Sequence, residues 1–282
     1  MNKLSDLSRH PEQAAPGVTV MPWQGWRNAT PARIALGRAG VATPTRESLD
    51  FGWAHAMARD AIHTPLDVPA LVQSLQAAGH VCWQVHSQAK DRATYLRRPD
   101  LGRQLTPEDA HDLQQRAALL PSHPDLCLVV GDGLSSLAVQ RHAQPLIQAL
   151  LPLLPPDCSV SPIVVVQQAR VAVADEVGEL LQARCSAMLI GERPGLSSPD
   201  SLGIYLTYRP RRGRLDAERN CISNVRPQGL SYRHAAFKLA WLLRQAQRLD
   251  HSGVVLKDDS DPAWALHPRI GAAPPHLAAT KT

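Results

Sequence analysis

The chain has 282 residues, 44% of them hydrophobic and 20% charged, with a formal net charge of +5. That is long enough for one large or two smaller domains with their own core, and too apolar for a disordered chain. Aromatic residues are only 4%, which argues against a stacking platform for single-stranded nucleic acid, and no apolar run approaches the ~18 residues of a membrane span.

Residues 1–30 are polar and proline-containing and read as a flexible extension. The opening stretch MNKLSDLSRHPEQAAPG lacks the apolar core of a signal peptide, so the expected location is cytoplasmic. Residues 31–80 read as a small helical N-terminal domain. Thr43 and Pro44 open its first helix, with Leu49, Trp53, Met57 and Ala61 recurring every four residues as one apolar stripe. Asp67, Pro69 and Gly79 bracket a second helix. Residues 81–257 change pattern. A strand VCWQVHS leads to a helix opened by Thr106-Pro107-Glu108-Asp109. DLCLVVGDGLS, SVSPIVVVQQ, CSAMLIGERPG and GIYLTY then read as buried strands, with helices after Ser135, over DEVGELLQA and from Ser231 to Leu249. The last helix has the stripe Ala235, Leu239, Leu242 and Ala246. Short apolar strands alternating with helices predict an α/β fold: a Rossmann-like, mostly parallel sheet with helices on both faces. Residues 258–282 read as a loose tail rich in Ala and Pro.

In such sheets ligands bind beyond the carboxyl ends of the strands. Two loops fall there, Gly131-Asp132-Gly133-Leu134-Ser135 and Gly191-Glu192-Arg193-Pro194-Gly195. Asp132 reads either as turn chemistry or as a carboxylate presented to a ligand. Glu192 reads either as half of an ion pair with Arg193 or another arginine, or as an acceptor for an amide-rich ligand. The five cysteines are odd in number and form no CxxC, which fits free thiols in a reducing compartment. Cys82, Cys127 and Cys185 lie in apolar stretches and read as buried. Cys221 instead sits in a polar loop, Arg219-Asn220-Cys221-Ile222-Ser223-Asn224, where nearby arginines could lower its pKa. With no histidine partner in sequence, it reads as a contact residue and not a nucleophile. Seven arginines against three acids between Arg193 and Arg226 read as a solvated loop or as a surface for a phosphate-bearing ligand or acidic partner. There is no Lys/Arg block and no nucleic-acid motif, so no nucleic-acid partner is expected.

The common fingerprints are absent: no GxGxxG, no GxxxxGK[ST], no GxSxG and no HExxH. Asp109-Ala110-His111 begins like DxHxxG, in which a histidine replaces the lower ligand of cobalamin. Position 114 is Gln, however, and the trio lies on the helix capped by Thr106, so His111 is expected at the surface.

RIALGRAG (33–40), TRESLDFGWAHAMARDAIH (45–63), YLRRPDLGRQL (95–105), GDGLS (131–135), RVAVADEVGELL (170–181), IGERPGLSSPDSLGIYLTYRP (190–210) and DAERNCISNVRPQGL (216–230) together closely resemble the small subunit (light chain) of ethanolamine ammonia-lyase. The resemblance runs from about Arg33 to Leu249. It implies a partner, the large barrel subunit, with several heterodimers assembled together. It implies conversion of ethanolamine to acetaldehyde and ammonia by radical chemistry that adenosylcobalamin supplies. It also implies a cofactor held between the two subunits with its own benzimidazole ligand, consistent with the failed DxHxxG match. Residue by residue, the cofactor contacts it implies are Val171 of RVAVADEVGE, Glu192 of GERPG and Cys221 before Ile-Ser-Asn. No catalytic residue and no protein metal ligand is implied on this chain, which is expected to be inactive alone. The resemblance also raises a bacterial microcompartment as an alternative location, reached through residues 1–30, although these carry no strong amphipathic stripe. Two other classes stay open at this point: a stand-alone Rossmann-like module binding cobalamin or another small molecule, and an assembly protein that binds no cofactor.

Overall fold

The computed structural model describes residues 16–260. Residues 1–15 of the expected extension and 261–282 of the expected tail lie outside the described residues. Two units divide after Ala58.

The first unit holds a 3-10 turn at Gln24–Asn28 and most of helix α1 (Thr45–His63). Arg27 donates to Glu47 at 2.8 Å, and Arg33 lies 5.9 Å above the Phe51 ring. The apolar stripe of α1 has the expected period, but Leu49, Trp53 and Met57 are exposed.

The second unit is a six-stranded sheet layered by helices. In chain order it has α2 (Val68–Ala77), β1 (Cys82–His86), α3 (Arg92–Arg97), α4 (Pro107–Ala117), β2 (Leu126–Gly131), α5 (Ser136–Leu150) and β3 (Ile163–Gln167). These are followed by α6 (Val173–Leu180), β4 (Cys185–Gly191), β5 (Leu202–Tyr208), β6 (Arg219–Val225) and α7 (Tyr232–Leu249). Side-chain caps set the helix starts: Asp67 accepts from the Ala70 N–H, Thr106 from Asp109, Ser135 from Ala138 and Ser231 from His234. The sheet order is β1-β3-β2-β4-β5-β6. β1 to β4 pair in parallel, whereas β5 is antiparallel to both β4 and β6. The sheet is therefore mixed, and its first strand lies at an outer edge, unlike the 3-2-1-4-5-6 order of the dinucleotide fold. The connections 192–201 and 209–218 contain no α-helix. Such short links suit antiparallel neighbours, whereas parallel ones need a longer crossover.

Period-2 alternation divides the side chains of β2 to β5 between two cores. Leu126, Leu128, Val130, Ile204 and Leu206 face α2, α5 and α7; Cys127, Val129, Val166, Met188 and Ile190 face α4 and α6. Helix α2 thus belongs to a layer of the sheet and not to a separate helical domain. The segment 219–225, expected to be a polar loop, is the edge strand β6. Its alternation is obscured by a register shift between Leu202 and Ile204 of β5. Helix α3, which begins at an Asp91 cap, was also not expected. His111 is exposed on α4, as expected.

Candidate functional site

Three loops interlock at the carboxyl edge of the parallel strands. Asp132, after β2, is 2% exposed. Its Oδ1 accepts from the N–H groups of Gly133 (3.0 Å) and Ala169 (2.8 Å), and its Oδ2 from that of Gln168 (3.0 Å). Arg92 lies 3.6 Å from the same carboxylate. Burial pushes the Asp132 pKa up, while the N–H donors and Arg92 pull it down. Asp132 is thus turned inward, holding the loop after β3, and neither a bare turn nor a ligand contact describes it. The loop is clamped from its other side. The Tyr95 hydroxyl donates to Ala169 O at 3.0 Å, and the Arg170 guanidinium lies 4.2 Å above the Tyr95 ring. Val171 follows at the start of α6, half-buried against the core under that helix. The loops after β2 and β4 touch through glycines. Leu134 N–H donates to Gly191 O at 2.9 Å, and a Cβ on Gly191 would meet Ser135 O at 2.0 Å.

Glu192 leaves β4 on the face that carries Met188 and Ile190. Its side chain crosses β5 where Gly203 leaves room; a Cβ there would lie 3.0 Å from Glu192 Oε1. Ser201 donates to Oε2, Ser223 to Oε1 at 2.6 Å, and the Asn224 N–H to Oε2 at 3.2 Å. No ion pair with Arg193 forms among the described residues; the partners are hydroxyls and a backbone N–H. The loop it opens is pinned on both sides. Arg226 donates to Ser197 O at 3.3 Å, Ser135 to Pro199 O at 2.8 Å, and Arg141 pairs with Asp200 at 2.8 Å.

Cys221 stands opposite Tyr205 in the β5–β6 ladder and points to the same face as Ser223. It is exposed. Its thiol is nevertheless pushed up by burial; the Tyr205 hydroxyl donates to it and opposes this in part, and the Glu192 carboxylate adds to it. The arginines do not activate it, because they are engaged elsewhere. Arg212 pairs with Glu176, Arg214 with Glu218, and Arg219 with both Asp175 and Asp216. The Arg193–Arg226 stretch is therefore largely a set of internal ties.

The structure thus brings Glu192 and Cys221 together through Tyr205 and Ser223. Val171 lies on the same face of the sheet, beyond β3, and no bond joins it to either residue among the described residues. Helices α4 and α6 pack over the β1–β4 part of this face. At β6, Cys221, Ser223 and Asn224 remain exposed. No cluster of three or more His, Cys, Asp or Glu side chains suited to a metal is present among the described residues.

The family described as ethanolamine ammonia-lyase light chain (EutC) matches residues 21–257. The chain is 58% identical to the ethanolamine ammonia-lyase small subunit of Ralstonia nicotianae over 245 residues, covering 86% of this chain and 91% of that protein. It is 57% identical to that of Azotobacter vinelandii over 247 residues (87% and 92%) and 55% identical to that of Pseudomonas aeruginosa over 241 residues (85% and 88%). The chain belongs to the ethanolamine ammonia-lyase small-subunit family. A small subunit of ethanolamine ammonia-lyase has a large subunit as its partner, in a lyase complex. Among the described residues of this small subunit, no helix is long and apolar enough to cross a membrane.

Four residues that the sequence did not single out surround Glu192 and Cys221: Ser201, Gly203, Tyr205 and Ser223. The available signal was the spacing of Cys221 and Ser223, which share a face once 219–225 is recognised as a strand.

Proposed function

We propose that this chain is the small subunit of an adenosylcobalamin-dependent enzyme converting ethanolamine to acetaldehyde and ammonia, and that it completes the cofactor site at the interface with the large subunit. Val171, Glu192 and Cys221 are its cofactor contacts. When bound, the cofactor supplies the one-electron chemistry that deamination of an unactivated amino alcohol requires.

The observation that carries this reading is the aim of Glu192. Its carboxylate is fixed by Ser201, Ser223 and the Asn224 N–H beside an uncovered strand face. Two carboxylate oxygens offer about four acceptor sites, so with these three donors engaged about one remains for an amide N–H of those that fringe a corrin. The donor set supports the fit. An acidic acceptor, a thiol kept protonated by its surroundings and a half-buried valine suit a flat, amide-fringed, largely apolar ligand. Gln168 Oε1 and Arg170 Nε, beside Val171, are buried without a partner among the described residues. Val171 would offer backbone and methyl contact, held in place by Asp132. Cys221 would pack as a small soft side chain.

The test is adenosylcobalamin titration of the two-subunit complex by absorbance. Glu192→Ala should weaken affinity by about ten- to a hundred-fold, the worth of charged hydrogen bonds, and leave assembly intact. Glu192→Gln, which keeps one acceptor, should fall between. Unchanged affinity in Glu192→Ala would reject the contact. The antiparallel β4–β5–β6 arm that presents Glu192 argues for a shared site completed by another surface. Tight cofactor binding by the isolated chain would support a stand-alone binding module instead. We further expect several heterodimers per particle. The expected location is the cytoplasm, including the interior of a microcompartment; residues 1–15, part of the segment that would direct it there, lie outside the described residues.

A further inference from the structure

Among its described residues the first unit leaves most of its large apolar side chains exposed. Among its described residues only Pro44 and Ala58 are buried, yet it contains Trp23, Trp26, Phe51 and Trp53. Of the exposed large hydrophobic residues, Val20, Trp23, Trp26, Val41, Leu49, Phe51, Trp53 and Met57 all fall in this short segment. Within α1, Leu49 (69% exposed), Trp53 (72%) and Met57 (37%) follow one another at intervals of four and form a single stripe. Beside them, Gly52 faces open space. Among the described residues its ties include the Arg27–Glu47 pair, the Arg33–Phe51 contact, the Phe51–His55 ring stack and the isolated bridges Thr19–Arg38 and Ala39–Ala42.

A segment of this size without a core does not hold an ordered helix by propensity alone; helical stability in proteins comes mainly from packing an apolar face. The four aromatic rings alone leave roughly 500 Å² uncovered, judged from about 150–250 Å² per ring. Leu49, Met57, Val20 and Val41 bring the unit as a whole near the ~800 Å² that each partner contributes to a standard interface, and the Leu49–Trp53–Met57 stripe is the part of that area that lies along one helix. Tryptophan is also the residue most enriched at interface hot spots. Anchors at i, i+4 and i+8 on one helix are what a groove on a partner reads.

We infer that the Leu49–Trp53–Met57 face of α1 docks in an apolar groove of the large subunit of the same enzyme. This rests on the proposed two-subunit reading, which supplies the partner; the area and its aromatic content supply the surface.

The experiment uses the full chain and a purified matching large subunit, with association measured by sedimentation velocity. Variants are Leu49→Glu, Trp53→Glu and Met57→Glu, singly and combined. Leu119→Glu, at an exposed apolar position of the second unit, is the control. The triple variant should bind at least about thirty-fold more weakly, with Trp53→Glu the largest single effect. Leu119→Glu should bind as the unaltered chain does, and all variants should keep its circular dichroism and denaturation midpoint. Full-strength association by the triple variant overturns the inference and leaves the two-subunit reading standing. So does an isolated chain that is a dimer and becomes monomeric in the triple variant, since a second copy then covers the face. A Trp53 unreachable by acrylamide in the isolated chain also overturns it, since the chain then covers the face itself. No complex with the unaltered chain overturns the two-subunit reading and this inference together.

Discussion

The thiols show how far position alone sets a side chain's chemistry. Cys127 and Cys185 lie on buried strands, and burial pushes each to about 12; Cys158, half-buried near Asp125 and Asp157, is pushed up to about 11. Cys221 is the exposed one, with its pKa raised as well. Iodoacetamide at pH 7.5 should therefore label Cys221 first, more slowly than free cysteine, and should reach Cys127 and Cys185 only on unfolding. Rapid labelling of Cys221 would contradict the raised pKa. Mass mapping of the labelled peptides reads both outcomes. The sequence separated Cys221 from the others because it lies outside any apolar run. It did not show the direction of the pKa shift, which is set first by burial of the thiol beside β5, with the Glu192 carboxylate adding to it and Tyr205 opposing it. Asp132 was ambiguous for the same reason: Gly-Asp-Gly suits a turn, and the N–H groups of Gln168 and Ala169 that it accepts from are distant in sequence.

Among elements, helices were the most legible, because caps and a 3.6-residue period are local signals. Strand β6 was not. Its exposed Cys221, Ser223 and Asn224 face no core, and Asn is a poor strand former. What holds β6 is tertiary. Arg219, 6% exposed, pairs with buried Asp175 of α6 and with Asp216. Burial pushes the Asp175 pKa up, and Arg219 opposes it. Arg219→Met leaves that carboxylate uncompensated and should cost about 3–5 kcal/mol in denaturant unfolding. Arg219→Met combined with Asp175→Leu should recover most of the loss; a double variant no better than the single would contradict the assignment. Helix α5 adds a pH dependence. Burial holds His142 below the ordinary imidazole range, with Arg141 adding to the shift and Asp200 opposing it. The Tyr232 hydroxyl lies 2.8 Å from Nδ1 and Asp200 3.7 Å from Nε2. As pH falls below about 6.5 the unfolded chain takes the proton first, so this contribution to stability is full above that pH and is lost as pH falls through the folded value. Urea midpoints at pH 7.5 and 5.5 should differ less in His142→Gln than in the unaltered chain.

At the scale of the molecule, alternating strands and helices correctly indicated a sheet with helices on both faces. They did not reveal the antiparallel β5–β6 arm, because direction depends on the links joining the strands. That arm presents Glu192 and Cys221 on a face other helices leave open, while the first unit carries apolar residues with no core beneath them. A pattern of periodicity shows that Leu49, Trp53 and Met57 share a side; it carries no information on whether the covering surface belongs to the same chain. Both features support the proposal that a partner completes the molecule.

The most direct measurement mixes the chain with a matching large subunit, with and without adenosylcobalamin, and follows acetaldehyde from ethanolamine. Activity that needs both chains and the cofactor is the predicted result. Full activity of the large subunit without this chain, or a stable complex with no cofactor-dependent turnover, would contradict the account.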